Sequence, residues 1–152
     1  MELSRRANAQ LPVPVPIVKT APPRGKRMLV RMPAWFWLDE SQWDARSARA
    51  QVGSVWAEAT ASAFELVIDP GDGSAPFTCD APGTPYAEGA DEGDACTHTF
   101  KRSGTYTVRV TANWGADWEG SDGNGGTLPT MGRSTSFPIR VVEARSELIA
   151  NP

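Results

Sequence analysis

Few residues of this 152-residue chain could do chemistry. It has one histidine, His98, and two cysteines, Cys79 and Cys96. Two thiols and one imidazole fall short of the four ligands of a structural zinc site. His98 could enter a Ser-His-Asp triad on paper, but no Gly-x-Ser-x-Gly elbow presents a nucleophile. Paired carboxylates for glycoside hydrolysis would need a cleft between them. Asp69 and Asp72, then Asp91, Glu92 and Asp94, are hard oxygen donors of the kind calcium takes. They are weak candidates, because turn aspartates bond their own backbone and the acidic stretch has no ordered ligand spacing. The Asp122-Gly-Asn-Gly-Gly run lacks the glutamate of a calcium loop, with Arg133 in its place. No cofactor is expected.

Binding chemistry is better represented. The chain has six tryptophans, which suit sugar stacking or the anchoring of a protein interface. Trp114 has the parity of a core residue. Trp56 shares a face with Glu58 and Thr60, and Trp35 and Trp37 share a face opposite Phe36 and Leu38. Trp118 lies between Asp117 and Glu119 in the glycine-rich stretch Gly115–Arg133. These four, Trp118, Trp56, Trp35 and Trp37, form the candidate binding surface; the competing reading is a small cluster under a loop.

The elements that must position these residues are strands. Val55, Ala57 and Ala59 share a face; Phe64, Leu66 and Ile68 alternate with Glu65, Val67 and Asp69. Tyr106 to Trp114 and Phe137 to Val141 alternate in the same way. Period-two patterning of this kind implies half-buried antiparallel strands. Gly 14 and Pro 13 suit short strands joined by turns. Asp39 can cap a helical turn. Residues 1–10 read as frayed. Leu11 to Pro23, with alternating prolines, reads as polyproline II, either a stalk or a strip along a sheet edge. Gly115–Arg133 reads as a long loop joining the last two strands, and a loop longer than folding requires is a natural seat of function. The expected organisation is a basic Pro-rich linker over 1–27, a sandwich over 28–145 and a tail over 146–152.

The net charge is -3. Residues 1–27 carry six cations against Glu2, so the body is acidic. An acidic body excludes nucleic acid as a partner. No stretch reaches the ~20 apolar residues of a membrane span. Cys79 and Cys96 bracket 16 residues, and a disulfide closing such a loop stabilises by about 3 kcal/mol. Free thiols or half a metal site are the alternatives. A disulfide places the chain in an oxidising compartment, and a signal or anchor segment is then expected upstream of Met1.

The order Asp69-Pro-Gly71-Asp72-Gly73, then His98-Thr99-Phe100, then Gly104-Thr-Tyr106-Thr-Val108 resembles the motif of the PKD family. Those domains are immunoglobulin-like extracellular β-sandwiches. Ile68, Pro70 and Phe100 stand where the family has tryptophan, phenylalanine and tyrosine. The cysteine pair and Trp35-Phe36-Trp37 resemble a disulfide-containing variant in secreted actinobacterial proteins. The resemblance implies an all-β, immunoglobulin-like sandwich in which Asp69, Gly71, Asp72, Gly73, His98, Gly104 and Tyr106 are structural. It further implies a non-catalytic, extracellular or surface-anchored module that binds or spaces through protein contacts at the cell envelope. A carbohydrate-binding module, gripping cell-wall polysaccharide through its tryptophans, is the alternative. A hydrolase with a hidden carboxylate site ranks third.

Overall fold

The computed structural model describes residues 2–143. Helix α1 spans Glu2–Ala9, and nine strands follow: β1 Val18–Ala21, β2 Met28–Leu29, β3 Pro33–Leu38, β4 Arg46–Val52, β5 Val55–Asp69, β6 Phe77–Asp80, β7 Cys96–Thr99, β8 Gly104–Gly120 and β9 Gly125–Val142. A 3-10 turn, Glu40–Gln42, precedes β4, and Asp39 caps it by accepting a hydrogen bond from the Ser41 backbone N–H. The strands form a three-stranded sheet, β1-β3-β7, and a larger sheet, β2-β9-β8-β5-β4, with β6 also paired to β5. All pairings are antiparallel except the short β2–β9 ladder. The chain is an all-β sandwich.

Alternation decides which side chains meet between the sheets. Phe36 and Leu38 of β3 face Leu66, Ile68, Val108, Val110, Phe137, Ile139 and Val141 in one buried cluster. Trp114 is in the same core, as its parity implies. Phe64 is a correction: it lies 48% exposed although its parity matches Leu66 and Ile68. The register shifts between Ala63 and Glu65, so Phe64 is the extra residue of a bulge. Inward positions are odd before the bulge (Ala57, Ala59, Ala61) and even after it.

The stretch Gly115–Arg133 is not a loop. β8 runs straight through it to Gly120, a tight turn over 121–124 reverses the chain, and β9 returns from Gly125. Glycine was misleading because here it makes room for a cross-strand ring. Trp118 pairs with Gly126, and a Cβ there would lie 3.1 Å from the indole Nε1. With β4 and the first half of β5, this hairpin forms an arm that outruns the three-stranded sheet.

The expected linker over 1–27 is also part of the fold. Helix α1 packs on β4, β5 and β8, with Ala7 fully buried and Ser4 nearly so. Its seat is built from Ala50, Ala59, Ala61 and Ala116, whose single methyl groups let the helix backbone come close. Residues 11–17 then cross to β1 as a strap with Leu11 and Val13 buried. Its prolines cannot donate; Leu11, Val13 and Ile17 bond to backbone at Asn8, Leu11 and Asp39, and other groups find side chains. Arg133 donates to the Val13 carbonyl, while Gln42 donates to Val15 and accepts from the Ile17 N–H. The strap thus packs on the fold instead of standing off it as a stalk. The expected tail over 146–152 lies outside the described residues.

The alanine seat gives a test. Ala59→Leu should lower stability by about 1–3 kcal/mol in urea denaturation, as overpacking does. Ser62→Ala, exposed on the opposite face of β5, should stay within about 0.5 kcal/mol.

Candidate functional site

The acidic stretch after β6 is a built wall rather than a solvated loop. Cys79 in β6 and Cys96 in β7 are joined by a disulfide, with Cα atoms 5.6 Å apart, which closes its base. The chain between them folds back over the outer face of β3. The Leu38 N–H donates to the Pro82 carbonyl at 2.8 Å, and Trp37 bridges to Gly83. Gly83 has φ +82°, and a Cβ there would lie 2.9 Å from the Phe36 carbonyl oxygen, so no other residue fits. Further on, Glu92 accepts from the Thr97 hydroxyl and Asp91 accepts from the Gly93 N–H.

This course sets the surroundings of the Trp35/Trp37 pair. Period two sends Ala34, Phe36 and Leu38 into the core and both tryptophans outward. Tyr86, itself 49% exposed, meets the Trp35 ring edge-on, with centroids 5.2 Å apart and planes at 82°, and Trp35 is left only 4% exposed. Trp37 stays half-buried. Between the acidic wall and the β1 edge lies a groove of about 790 Å³. Trp35 and Trp37 form its floor; Tyr86, Asp91 and Glu92 line one side and Lys19 to Pro23 the other. Its size falls within the usual range of ligand clefts.

The other two tryptophans lie elsewhere. Trp118 is half-buried on the inner face of the arm, against the core under α1. Trp56 is on the outer face beneath the Arg49 guanidinium, 4.1 Å from its ring centroid, and its backbone exchanges bonds with Ser121 at the arm tip. The four candidate tryptophans therefore do not make one surface. Sequence reasoning missed Tyr86 altogether. Only its place inside a cysteine-closed loop, opposite an outward tryptophan, could have flagged it.

The turn residues serve structure. Asp69 accepts from the Gly71 N–H, and Asp72 from the Ser74 N–H. A Cβ at Gly71 would lie 2.1 Å from the Thr107 carbonyl oxygen. His98 Nε2 is 2.8 Å from the second Asp72 oxygen, and the imidazole stacks on Phe77 and meets Phe100 edge-on. The absence of a Cβ at Gly104 leaves room for the Tyr106 ring, whose hydroxyl donates to the Arg102 carbonyl at 2.7 Å. Burial pushes the Asp72 carboxyl up, but the bonds from His98 and Ser74 outweigh it and hold the group down to about 2. The calcium candidates are divided between this turn and the acidic wall. Among the described residues no group of three or more His, Cys, Asp or Glu converges on a point.

No family model matches the chain, and no curated protein and no solved structure matches it either.

Two measurements follow from this geometry. Asp72 has a folded value below its ordinary 3.8, so its contribution is complete above about pH 4 and disappears as pH falls through 2. Acid titration of the wild type should show a loss on the order of 1–2 kcal/mol in that window, and Asp72→Asn should remove most of it. Reducing Cys79–Cys96 should lower stability by about 2–5 kcal/mol, read as a fall in the melting temperature. An unchanged Tm would mean that the wall does not depend on its covalent base.

Proposed function

We propose that this chain is a non-catalytic binding module of the extracellular space or cell envelope, and that it holds a protein segment in the Trp35–Trp37–Tyr86 groove. The observation that carries the reading is the groove itself, an aromatic floor beneath a wall tied down by a disulfide. A preformed apolar cleft with a few polar groups at its margin is the ordinary form of a recognition site. Asp91 and Glu92 on one wall favour a segment that presents an apolar side chain beside a basic one.

The geometry favours protein over sugar. Trp35 and Tyr86 meet nearly at right angles and Trp35 is covered, so the rings do not offer the flat platform on which a sugar stacks. It also speaks for binding rather than hydrolysis. Asp91 and Glu92 share one wall instead of facing each other, and each accepts a hydrogen bond from its own surroundings. An extracellular setting is supported by the disulfide. Membership of the PKD family belongs to the same proposal. Its support is the His98–Asp72 bond, which joins the two halves of the resembling motif.

A displayed peptide library selected on the immobilised domain tests the reading. Enriched peptides should pair an aromatic or aliphatic residue with Lys or Arg. Trp37→Ala should weaken them by at least ~1 kcal/mol, roughly fivefold in Kd. Trp37 is half-buried on the outer face, so the variant should keep its fold. Peptides that bind Trp37→Ala and wild type alike, but lose affinity in Trp56→Ala, would move the site to the arm.

A further inference from the structure

The far end of the sandwich from the arm tip carries a second feature, which adjoins the groove at Leu29 and Met32. β8 has 17 residues, and at ~3.3 Å per residue its start at Gly104 is about 50 Å from its end at Gly120. Around Gly104 the fold gathers exposed cations from separate segments. Arg27 and Arg140 line one shallow depression of about 530 Å³ with Ser103, Thr105 and Glu143. Lys26 and Arg27 lie in the turn just before β2. The Arg31 N–H donates to the Phe100 carbonyl at 2.8 Å, which sets Arg31 beside Lys101 and Arg102. All six cations are exposed.

The charge is strongly one-sided. Of the fourteen Lys and Arg among the described residues six are at this pole, whereas of the seventeen Asp and Glu only Glu143 is. Asp69 and Asp72 are bonded to their own turn and to His98, and Asp91 and Glu92, which border the pole across Leu29 and Met32, accept from Gly93 and Thr97. The rest of the described molecule is acidic, so the domain is an elongated dipole.

We propose that this pole docks the domain end-on upon an anionic lipid surface. The cations come from three turns and a strand end and cover a cap, the shape that lets many charges meet a flat surface at once. They do not line a channel that would thread a linear polymer. The pole offers no open aromatic platform: Phe100 is fully buried, and Tyr106 stacks on it with its hydroxyl bonded to the Arg102 carbonyl. Clustered Lys and Arg are drawn to the negative potential of anionic lipids within a screening length of the surface. The acidic remainder is repelled by the same potential, which orients the long axis away from the surface.

The test is co-sedimentation of the whole chain with vesicles of phosphatidylcholine, alone or mixed with phosphatidylglycerol. Binding is expected only to the mixed vesicles, and it should vanish near 1 M salt, where the screening length is ~3 Å. Lys101→Glu with Arg102→Glu should weaken the partition at least tenfold, since each cation near such a surface contributes about fivefold. Arg140→Glu should act in the same direction, and Arg5→Glu on α1 should not. Far-ultraviolet dichroism checks that each variant keeps its strands. Equal binding to neutral vesicles, no binding to the mixed ones, or binding to a soluble polyanion such as polygalacturonate in place of vesicles would overturn the proposal.

Discussion

An apolar sheet face cannot be left in water, and in this molecule one sheet is much longer than the other. β5, β8 and β9 carry inward-facing side chains well past the reach of β1, β3 and β7. Much of the architecture answers that mismatch. Where the short sheet covers the long one, the contacts are large: Phe36, Leu38, Leu66, Phe137 and Ile139. Where it does not, the contacts shrink to alanine and a helix fills the space. The bulge at Phe64 lies between the two regimes and switches the parity of β5 where its cover changes. The strap over 11–17 joins helix to β1, so one continuous piece of chain closes both halves.

The groove depends on the opposite face of the short sheet. A three-stranded sheet with core residues on one side would normally show its other side to solvent. Here two outward tryptophans need cover, and the acidic wall supplies part of it. The wall has little regular structure of its own. It is held by the disulfide at its base, the backbone bonds to Leu38 and Trp37, and the ring contact of Tyr86 with Trp35. Rigidity imposed from outside lets an irregular, polar segment form one side of a binding cleft.

The fold was legible because alternation reports burial directly. The faces of β3, of the end of β5, of the start of β8 and of the end of β9 follow from parity, and so does the core position of Trp114. The arm was not legible. Its inner face is mostly Ala and Gly with Trp118 and Leu128, and so little hydrophobic contrast lets the pattern fade although the strands continue. Asp122-Gly123 was the surviving hint, since Asp-Gly is a strong hairpin signal. Helix α1 was missed for a related reason. Eight residues, several of them charged, cannot hold a helix in isolation, and this one exists because a seat of methyl groups receives it. The Trp35/Trp37 pair was visible as an outward face, but nothing local to β3 says that a segment some fifty residues later returns to wall it in.

The placement of the disulfide bears on how this protein would age in a protease-rich setting. The exposed acidic wall lies wholly between Cys79 and Cys96, and exposed polar loops are where proteases cut. A cut between Asp80 and Ala95 leaves both fragments tethered, with β6 still on β5 and β7 still on β3. Such a nicked chain would run as a single band on a gel until reduced. It would keep its sandwich while Tyr86 and its wall came loose from Trp35. The crosslink thus separates the lifetime of the groove from the lifetime of the fold, and recognition can be lost by cleavage while the scaffold remains standing.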